Sequence, residues 1–238
     1  MVRVSVCLAT YNGARFVREQ LESILPQLGA ADELIVSDDN STDDTRSIID
    51  SYKDGRIQLI RNPAPRGHVG NFEHAMKRSQ GEFIVLSDQD DIWAEGRLEH
   101  MLAALEHAPG RSLVVGDLVE FDACGVRPAR SALGSSPPSG IRQLCRLFLG
   151  QAKYYGSAYA FRRELLRYVL PIPAQVEAHD IWIAMNACLH GGVVHLEETT
   201  LFHRLHGDNL SPESRRALPV VLRSRMGYVR ALLQSSLR

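Results

Sequence analysis

The stretch GEFIVLSDQDDIW, Gly81 to Trp93, joins a short apolar run to three nearly adjacent carboxylates, Asp88, Asp90 and Asp91. A buried strand that ends in acids either stops at a solvated turn or carries a cation site. A lone DxD is weak support for the second reading, because Asp after a strand is common in turns and helix caps. The surrounding chain has to decide.

From Val2 to about Phe121, short β-like runs alternate with longer helical ones, the pattern of βα units. Strands are expected at VRVSVCL, ELIVS, IQLIR, EFIVLS and SLVVGDLVEF. Helices are expected at ARFVREQLESILPQL, TDDTRSIIDSY, VGNFEHAMKRS and GRLEHMLAALEH, with Asp43 and Asp44 near a helix N-terminus. In an open, mostly parallel sheet flanked by helices, ligands bind at the strands' C-terminal ends. Three polar exits then converge on one crevice: ATYNG, DDNST and DQDD. Alternation gives Asp88 and Asp90 similar directions, and oxygen ligands so placed suit Mg²⁺ or Mn²⁺, which keep positions open for substrate phosphates.

After Phe121 the rhythm fails. DACGVRPARSALGSSPPSG is rich in Gly, Pro, Ser and Ala and marks a boundary. The second half is expected to hold helices at about 141–149, 162–169, 180–190 and 219–237, with one strand near GVVHLEE, and to complete a site rather than fold alone.

The 238 residues are 45% hydrophobic and 23% charged, a soluble globular composition. Lys plus Arg number 27 against 28 Asp plus Glu, so the net charge of −1 predicts no nucleic-acid partner and no global attraction to an anionic membrane. Cys7, Cys124, Cys145 and Cys188 are widely spaced without CxxC, as in the reduced thiols of a cytosolic protein. Met1 leads directly into an alternating strand, and no apolar run approaches the roughly 20 residues of a membrane span. A cytoplasmic location is expected. The tail SRRALPVVLRSRMGYVRALLQSSLR carries Arg215, Arg216, Arg223, Arg225, Arg230 and Arg238, with no acid after Glu213. It reads in two ways: an amphipathic helix on an anionic bilayer with Leu222, Met226, Val229 and Leu233 inserted, or the same stripe packed on the domain.

Taken in order, VSVCLATYNGARFVREQLESIL, DELIVSDDNSTDDT, GNFEHAMKRSQGEFIVLSDQDDIW, GSAYAFRREL, HDIWIA and FHRLHGDN resemble the inverting glycosyltransferases of family 2, over about Val4 to Asn209. LSDQDDIW resembles in particular the bacterial rhamnosyltransferase-like branch, which builds surface polysaccharides. The resemblance implies an α/β fold of the GT-A nucleotide-sugar-binding type with a helical C-terminal part. Residues 1–121 would form the nucleotide-sugar-binding half, 122–212 the acceptor-binding and catalytic half of the same domain, and 213–238 a basic helix.

By the same resemblance, Thr10, Tyr11 and Asn12 border the base, with Tyr11 as a stacking surface, and Asp39 accepts a hydrogen bond from a pyrimidine imide. Asn71, read as opening its helix, either bonds base or ribose or acts as a cap. Asp88 bonds the ribose, Asp90 holds the metal with Asp91 behind it, His206 adds a metal or phosphate contact and Arg204 pairs with phosphate. Asp180 is the general base. Two positions depart from the family: Asn40 stands where Gly is usual, and His179 replaces an acid before Asp180. The donor is expected to be dTDP-L-rhamnose or a UDP-hexose, and the acceptor a glycan or lipid-linked glycan, with peripheral contact at the inner face of the membrane through the tail. Lack of a QxxRW motif and of a membrane helix favours transfer of one sugar per encounter. The rival readings are a non-catalytic nucleotide-sugar-binding protein, an aspartyl phosphohydrolase and a nucleotidyltransferase. Against the last two stand a DxD after the fourth strand rather than the first, and the absence of a Gly-rich loop in ATYNGARF.

Overall fold

A computed structural model describes residues 2–63, 67–126, 133, 140–152, 154–207 and 218–235. In chain order the elements of the first half are β1 (Val4–Thr10), α1 (Val17–Ile24), β2 (Glu33–Asp38), α2 (Thr45–Asp50), β3 (Ile57–Arg61), α3 (Gly67–Arg78), β4 (Phe83–Asp88), β5 (Ile92–Trp93), α4 (Arg97–Glu106) and β6 (Leu113–Asp122). There follow β7 (Gly125–Val126), α5 (Gly140–Phe148), β8 (Tyr159–Arg162), α6 (Leu166–Val169), α7 (His179–Leu189), β9 (Val193–Arg204) and α8 (Leu218–Ser235).

The strands form one sheet in the order β3-β2-β1-β4-β8-β6-β9-β5, with β7 hairpinned onto β6. Its first four members are parallel, and β6 runs parallel to β9, while β8 is antiparallel to both β4 and β6. VSVCLAT, ELIVSD and FIVLSD are almost wholly buried, as near-continuous apolar strands covered on both faces must be. The partly exposed IQLIR takes the edge.

Period-two alternation divides the core between the two faces. Cys7, Ile35, Ile84 and Leu86 pack with Phe72 and Met76 of α3 and Trp182 and Met185 of α7. Val6, Leu8, Val36 and Val85 pack with Leu21 and Ile24 of α1 and Met101 and Leu105 of α4.

The strands expected in the first half all form, and Asp44 stands at the N-terminal boundary of α2 without a side-chain capping bond, while Asp43 accepts the Thr45 N–H at 3.0 Å. The expected left-handed turn at Asn40 is present, with φ of 66°. The second half departs from expectation in two strands. The four-residue β8 was not signalled, because AYAFR is too short to show a period and runs straight into helical turns. The strand expected at GVVHLEE instead continues to Arg204, which carries its end to the carboxylates. Both strands belong to the sheet of the first half, so the chain does not divide into separately cored parts at Phe121.

α8 packs on the domain, but not through the expected stripe. Tyr228 and Ala231 are the residues packed into the core, and the Tyr228 hydroxyl reaches Ala178 O at 3.5 Å, at the start of α7. Met226, Val229 and Leu233 remain 56%, 42% and 63% exposed. Glu213, Arg215, Arg216 and Arg238, with most of the Pro/Ser-rich segment, lie outside the described residues. No helix among the described residues is long and apolar enough to cross a membrane.

Because Tyr228 anchors α8, Tyr228→Ala is expected to cost about 3 kcal/mol, the loss typical of truncating a fully buried aromatic. Urea unfolding monitored by circular dichroism measures it, and an unchanged midpoint would show that α8 is not held by this contact.

Candidate active site

The exits of β1, β2 and β4 are level, because Thr10 pairs with Asp38 and Ala9 with Asp88 in the parallel register. The buried Thr10 hydroxyl donates to Asp38 at 3.3 Å, and Asp38 also accepts the Ser41 N–H at 3.1 Å. Asn12 is a tie between loops: its side-chain oxygen accepts the Thr42 N–H at 2.8 Å. Asp39, half-buried, accepts from Asn62 at 2.9 Å, and burial raises its carboxyl above the usual range. The Tyr11 side chain is exposed, while its backbone N–H and carbonyl both bond to the Gln89 amide, at 2.9 and 3.1 Å. That lash requires Gly13, since a Cβ there would stand 2.2 Å from the Gln89 oxygen. Asn71 lies inside α3 and does not cap it. Its amide nitrogen donates to Thr10 O at 3.0 Å, and its buried oxygen has no partner.

The acids after β4 meet cations from distant parts of the chain. Asp91 is fully buried and accepts from His203 Nδ1 at 2.8 Å and from the Arg204 N–H at 3.1 Å. Burial works against the His203 imidazolium, but its hydrogen bond to Asp91 and the charges of Asp91, Asp88 and Asp90 outweigh that and raise it to about 9. Burial pushes Asp88 well up, and the neighbouring Asp91 and Asp90 add to it. Asp90 is raised by burial and by Asp91, against the opposing bond from His206. His206 Nε2 stands 2.8 Å from Asp90 Oδ2, and its ring lies 4.7 Å from that of Phe16. Arg204 donates to Asp90 O at 2.9 Å and to Glu19 at 2.6 Å, between the rings of Phe16 and Phe121. It braces the turn through these bonds.

Arg97 is fully buried beneath the turn. It donates to Ser157 O and, at 3.4 Å, to Leu86 O, and its guanidinium lies 4.4 Å from the Trp93 ring centroid. Burial lowers it to about 9, opposed by the charges of Asp91 and Asp88, so it stays cationic at neutral pH.

No ligand cage of three or more His, Cys, Asp or Glu side chains occurs among the described residues. The Asp90–His206 pair nevertheless fits a small divalent ion. Two ligands each about 2.1 Å from one ion stand roughly 3 Å apart at right angles, close to the 2.8 Å observed. Mg²⁺ or Mn²⁺ would complete its shell from phosphate oxygens and water.

Asp180 is the second residue of α7, behind Ala178 at the N-cap, so it is not itself the cap. Its Oδ1 accepts the Ile181 N–H at 2.7 Å, and burial raises it to about 6. Its charge adds, as the smallest contribution, to the raised proton affinity of Asp88. With Tyr154, Tyr155, Leu147 and Arg225 it lines a cavity of about 180 Å³. His179 stacks on Phe72 at 4.2 Å, and burial, helped by His68, lowers it to about 3. It is a neutral neighbour of Asp180.

Sequence reasoning missed Gln89, Arg97 and His203. Gln89 was seen only as the spacer between two acids, and Arg97 resembles the solvated start of an amphipathic helix. His203 lies three residues before His206 in FHRLHGDN, but nothing local pairs it with Asp91, 112 residues away. A wider depression of about 740 Å³ near Glu33, Arg56 and Gln80 lies at the opposite, N-terminal ends of the strands.

Residues 5–170 match the glycosyl transferase family 2 model. The chain belongs to that family. It is 37% identical over 142 residues to the putative glycosyltransferase EpsE of Bacillus subtilis (strain 168), covering 58% of this chain and 51% of that protein. It is 35% identical over 102 residues to the Escherichia coli UDP-Glc:alpha-D-GlcNAc-diphosphoundecaprenol beta-1,3-glucosyltransferase WfgD, covering 43% of this chain and 40% of the relative. The chain thus spans about half the length of these curated relatives. Among solved structures, S. aureus TarS 1-349 in complex with UDP-GlcNAc superposes with a TM-score of 0.74 at 17% identity, over 99% of this chain and 72% of that one. Glucosyl-3-phosphoglycerate synthase from Mycobacterium tuberculosis, with Mn²⁺, UDP and glucosyl-3-phosphoglycerate, gives 0.61 at 21% identity, over 98% and 80%. The expected GT-A fold of this family 2 glycosyltransferase is therefore present.

Removing the buried cation should expose what the acids cost. Arg97→Met is expected to destabilise the protein by about 3 kcal/mol at neutral pH, the scale for breaking a buried charge cluster on one side. Arg97→Lys should lose less, and equal losses in urea titrations would show that volume, not charge, is what Arg97 supplies.

Proposed function

We propose that the protein transfers one sugar, with inversion, from a pyrimidine nucleoside-diphosphate sugar to a hydroxyl of a glycan acceptor. What carries the reading is the combination of a metal-competent pair, Asp90 and His206, with Asp180, a buried carboxylate poised near neutrality whose charge reaches Asp88. The exposed Tyr11 ring offers the base a stacking face, and Asp39 an acceptor for its imide. Asp88, where β4 ends, would bond the ribose. A divalent ion held by Asp90 and His206 would supply positive charge to the departing diphosphate.

In the chemical step Asp180 accepts the acceptor hydroxyl's proton as that oxygen bonds to the anomeric carbon. The bond to the diphosphate breaks on the opposite face, and its electron pair leaves with the diphosphate. At a pKa of about 6 Asp180 is ionised at neutral pH yet still basic enough to take the proton.

For the donor, a UDP-hexose is supported by the UDP-glucose in the name of the Escherichia coli relative and by the UDP-GlcNAc bound to TarS. The motif LSDQDDIW favours dTDP-L-rhamnose as the second reading. For the acceptor, the diphosphoundecaprenol in the same relative's name supports a glycan on a lipid carrier, in bacterial surface polysaccharide assembly. Such an acceptor brings the protein to the inner face of the membrane peripherally.

Three outcomes are expected. Asp90→Asn weakens Mn²⁺-dependent UDP or dTDP binding while the fold is kept, since an amide supplies no charge to the ion; calorimetry showing unchanged affinity removes the metal assignment. Asp180→Asn binds donor normally but loses transfer by about 10²-fold or more. With Asp180 intact, turnover falls about tenfold per pH unit below pH 6, where the raised carboxyl takes up its proton, and levels off above about 7. A rate indifferent to pH between 5 and 7 would place the base elsewhere. Tighter binding of a purine nucleotide than of UDP and dTDP would defeat the base-pocket assignment.

A further inference from the structure

The small cavity at Asp180 is adjoined by a second concavity of about 390 Å³, lined by Phe148, Leu149, Val221, Met226, Val229 and Arg230, together with Arg225. Arg225 lines both, and is the residue they share. Its Nε is buried without a hydrogen-bond partner, and its guanidinium carbon lies 5.8 Å from the Phe148 ring centroid. The two helices forming the groove, α5 (GIRQLCRLF) and α8 (LPVVLRSRMGYVRALLQS), contain five arginines and no acid, so nothing on either one neutralises Arg225. Leu149, Met226 and Val229 stay 64%, 56% and 42% exposed beside it. Outward from the base, the surface therefore presents a chamber with room for a single sugar ring, then a cationic neck, then an apolar trough.

That order is the order of groups in one kind of molecule. We propose that Arg225 and the α5–α8 groove are the acceptor subsite for a sugar carried on an anionic lipid: the sugar hydroxyl at Asp180, the phosphate linkage at Arg225, and the first hydrocarbon units along Phe148, Met226 and Val229. The inference rests on the glycosyltransferase reading above. A free glycan would leave both the unpartnered guanidinium and the trough unused. A plain bilayer contact would require no continuity with the cavity at Asp180. Arginine suits the neck because its planar fork bonds phosphate oxygens at fixed geometry.

The test uses the full chain with saturating UDP and Mn²⁺, so that the donor site is filled, and titrates farnesyl diphosphate, inorganic diphosphate and dodecyl maltoside by calorimetry. Farnesyl diphosphate is expected to bind at least about tenfold more tightly than either of the others. Arg225→Gln should weaken it by about tenfold. Val229→Glu, at an exposed position where the fold tolerates change, should reduce it to the level of inorganic diphosphate. Farnesyl diphosphate no tighter than inorganic diphosphate overturns the proposal. So does equal binding of dodecyl maltoside with no effect of Arg225→Gln, which would make the groove a general apolar or bilayer contact. UDP is titrated separately on each form. Failure of UDP to bind the wild-type protein counts against the donor reading, while the comparison among the three probes still decides this one.

Discussion

Three carboxylates within four residues cannot be packed at the end of a buried strand unless cations are packed with them. Burial raises the proton affinity of Asp88 and of Asp90, and the neighbouring Asp91 raises it further. The fold answers with the cationic His203 on Asp91, a hydrogen bond between His206 and Asp90, and the cationic Arg97 below. Two of those three come from the end of β9, more than a hundred residues away. The pairing of Ile92 with Phe202 and Trp93 with Leu201 is what delivers them, since it sets β9 beside the acidic turn with its last residues over the carboxylates. The two-residue β5 is thus short in extent and large in consequence.

This dependence explains which parts of the structure were readable in the sequence. Alternation of β and helical periods exposed the strands of the first half, because each of those patterns is written in consecutive residues. The convergence of ATYNG, DDNST and DQDD followed from parallel topology alone, as did the identity of Asp88, Asp90 and Asp39 as crevice residues. His206 and Asp180 came only through resemblance of short motifs. The partners that make the cluster tolerable did not come at all, because a hydrogen bond between Asp91 and His203 leaves no local trace in either segment. α8 shows the same limit in another form: an i, i+3, i+7 stripe marks a face but not what that face meets, and Tyr228 and Ala231, off the stripe, took the core.

The departure at position 179 bears on the chemistry of its neighbour. An acid there would add a negative charge beside Asp180 and raise its proton affinity by repulsion as well as by burial. His179 adds none, since its ring is stacked on Phe72 in a site that disfavours the charged form. The elevation of Asp180 to about 6 is therefore a desolvation effect, moderated by the Ile181 N–H. Close packing holds the imidazole in place: Gly156 passes so near that a Cβ on it would stand 2.7 Å from His179 Nε2.

Gly156 belongs to the same turn as Ser157, and Ser157 O is one of the two carbonyls that Arg97 binds, the other being Leu86 O in β4. One buried guanidinium thus joins the strand that ends in the metal-competent acids to the turn that packs against His179 and Asp180. On the proposed mechanism base and diphosphate address opposite faces of one carbon, so displacement of either wall by about 1 Å is enough to remove most of the rate. Arg97, which balances the charge of the acidic turn, also ties that turn to the one packed against Asp180, so electrostatic tolerance and the spacing of the two walls are set by the same contact.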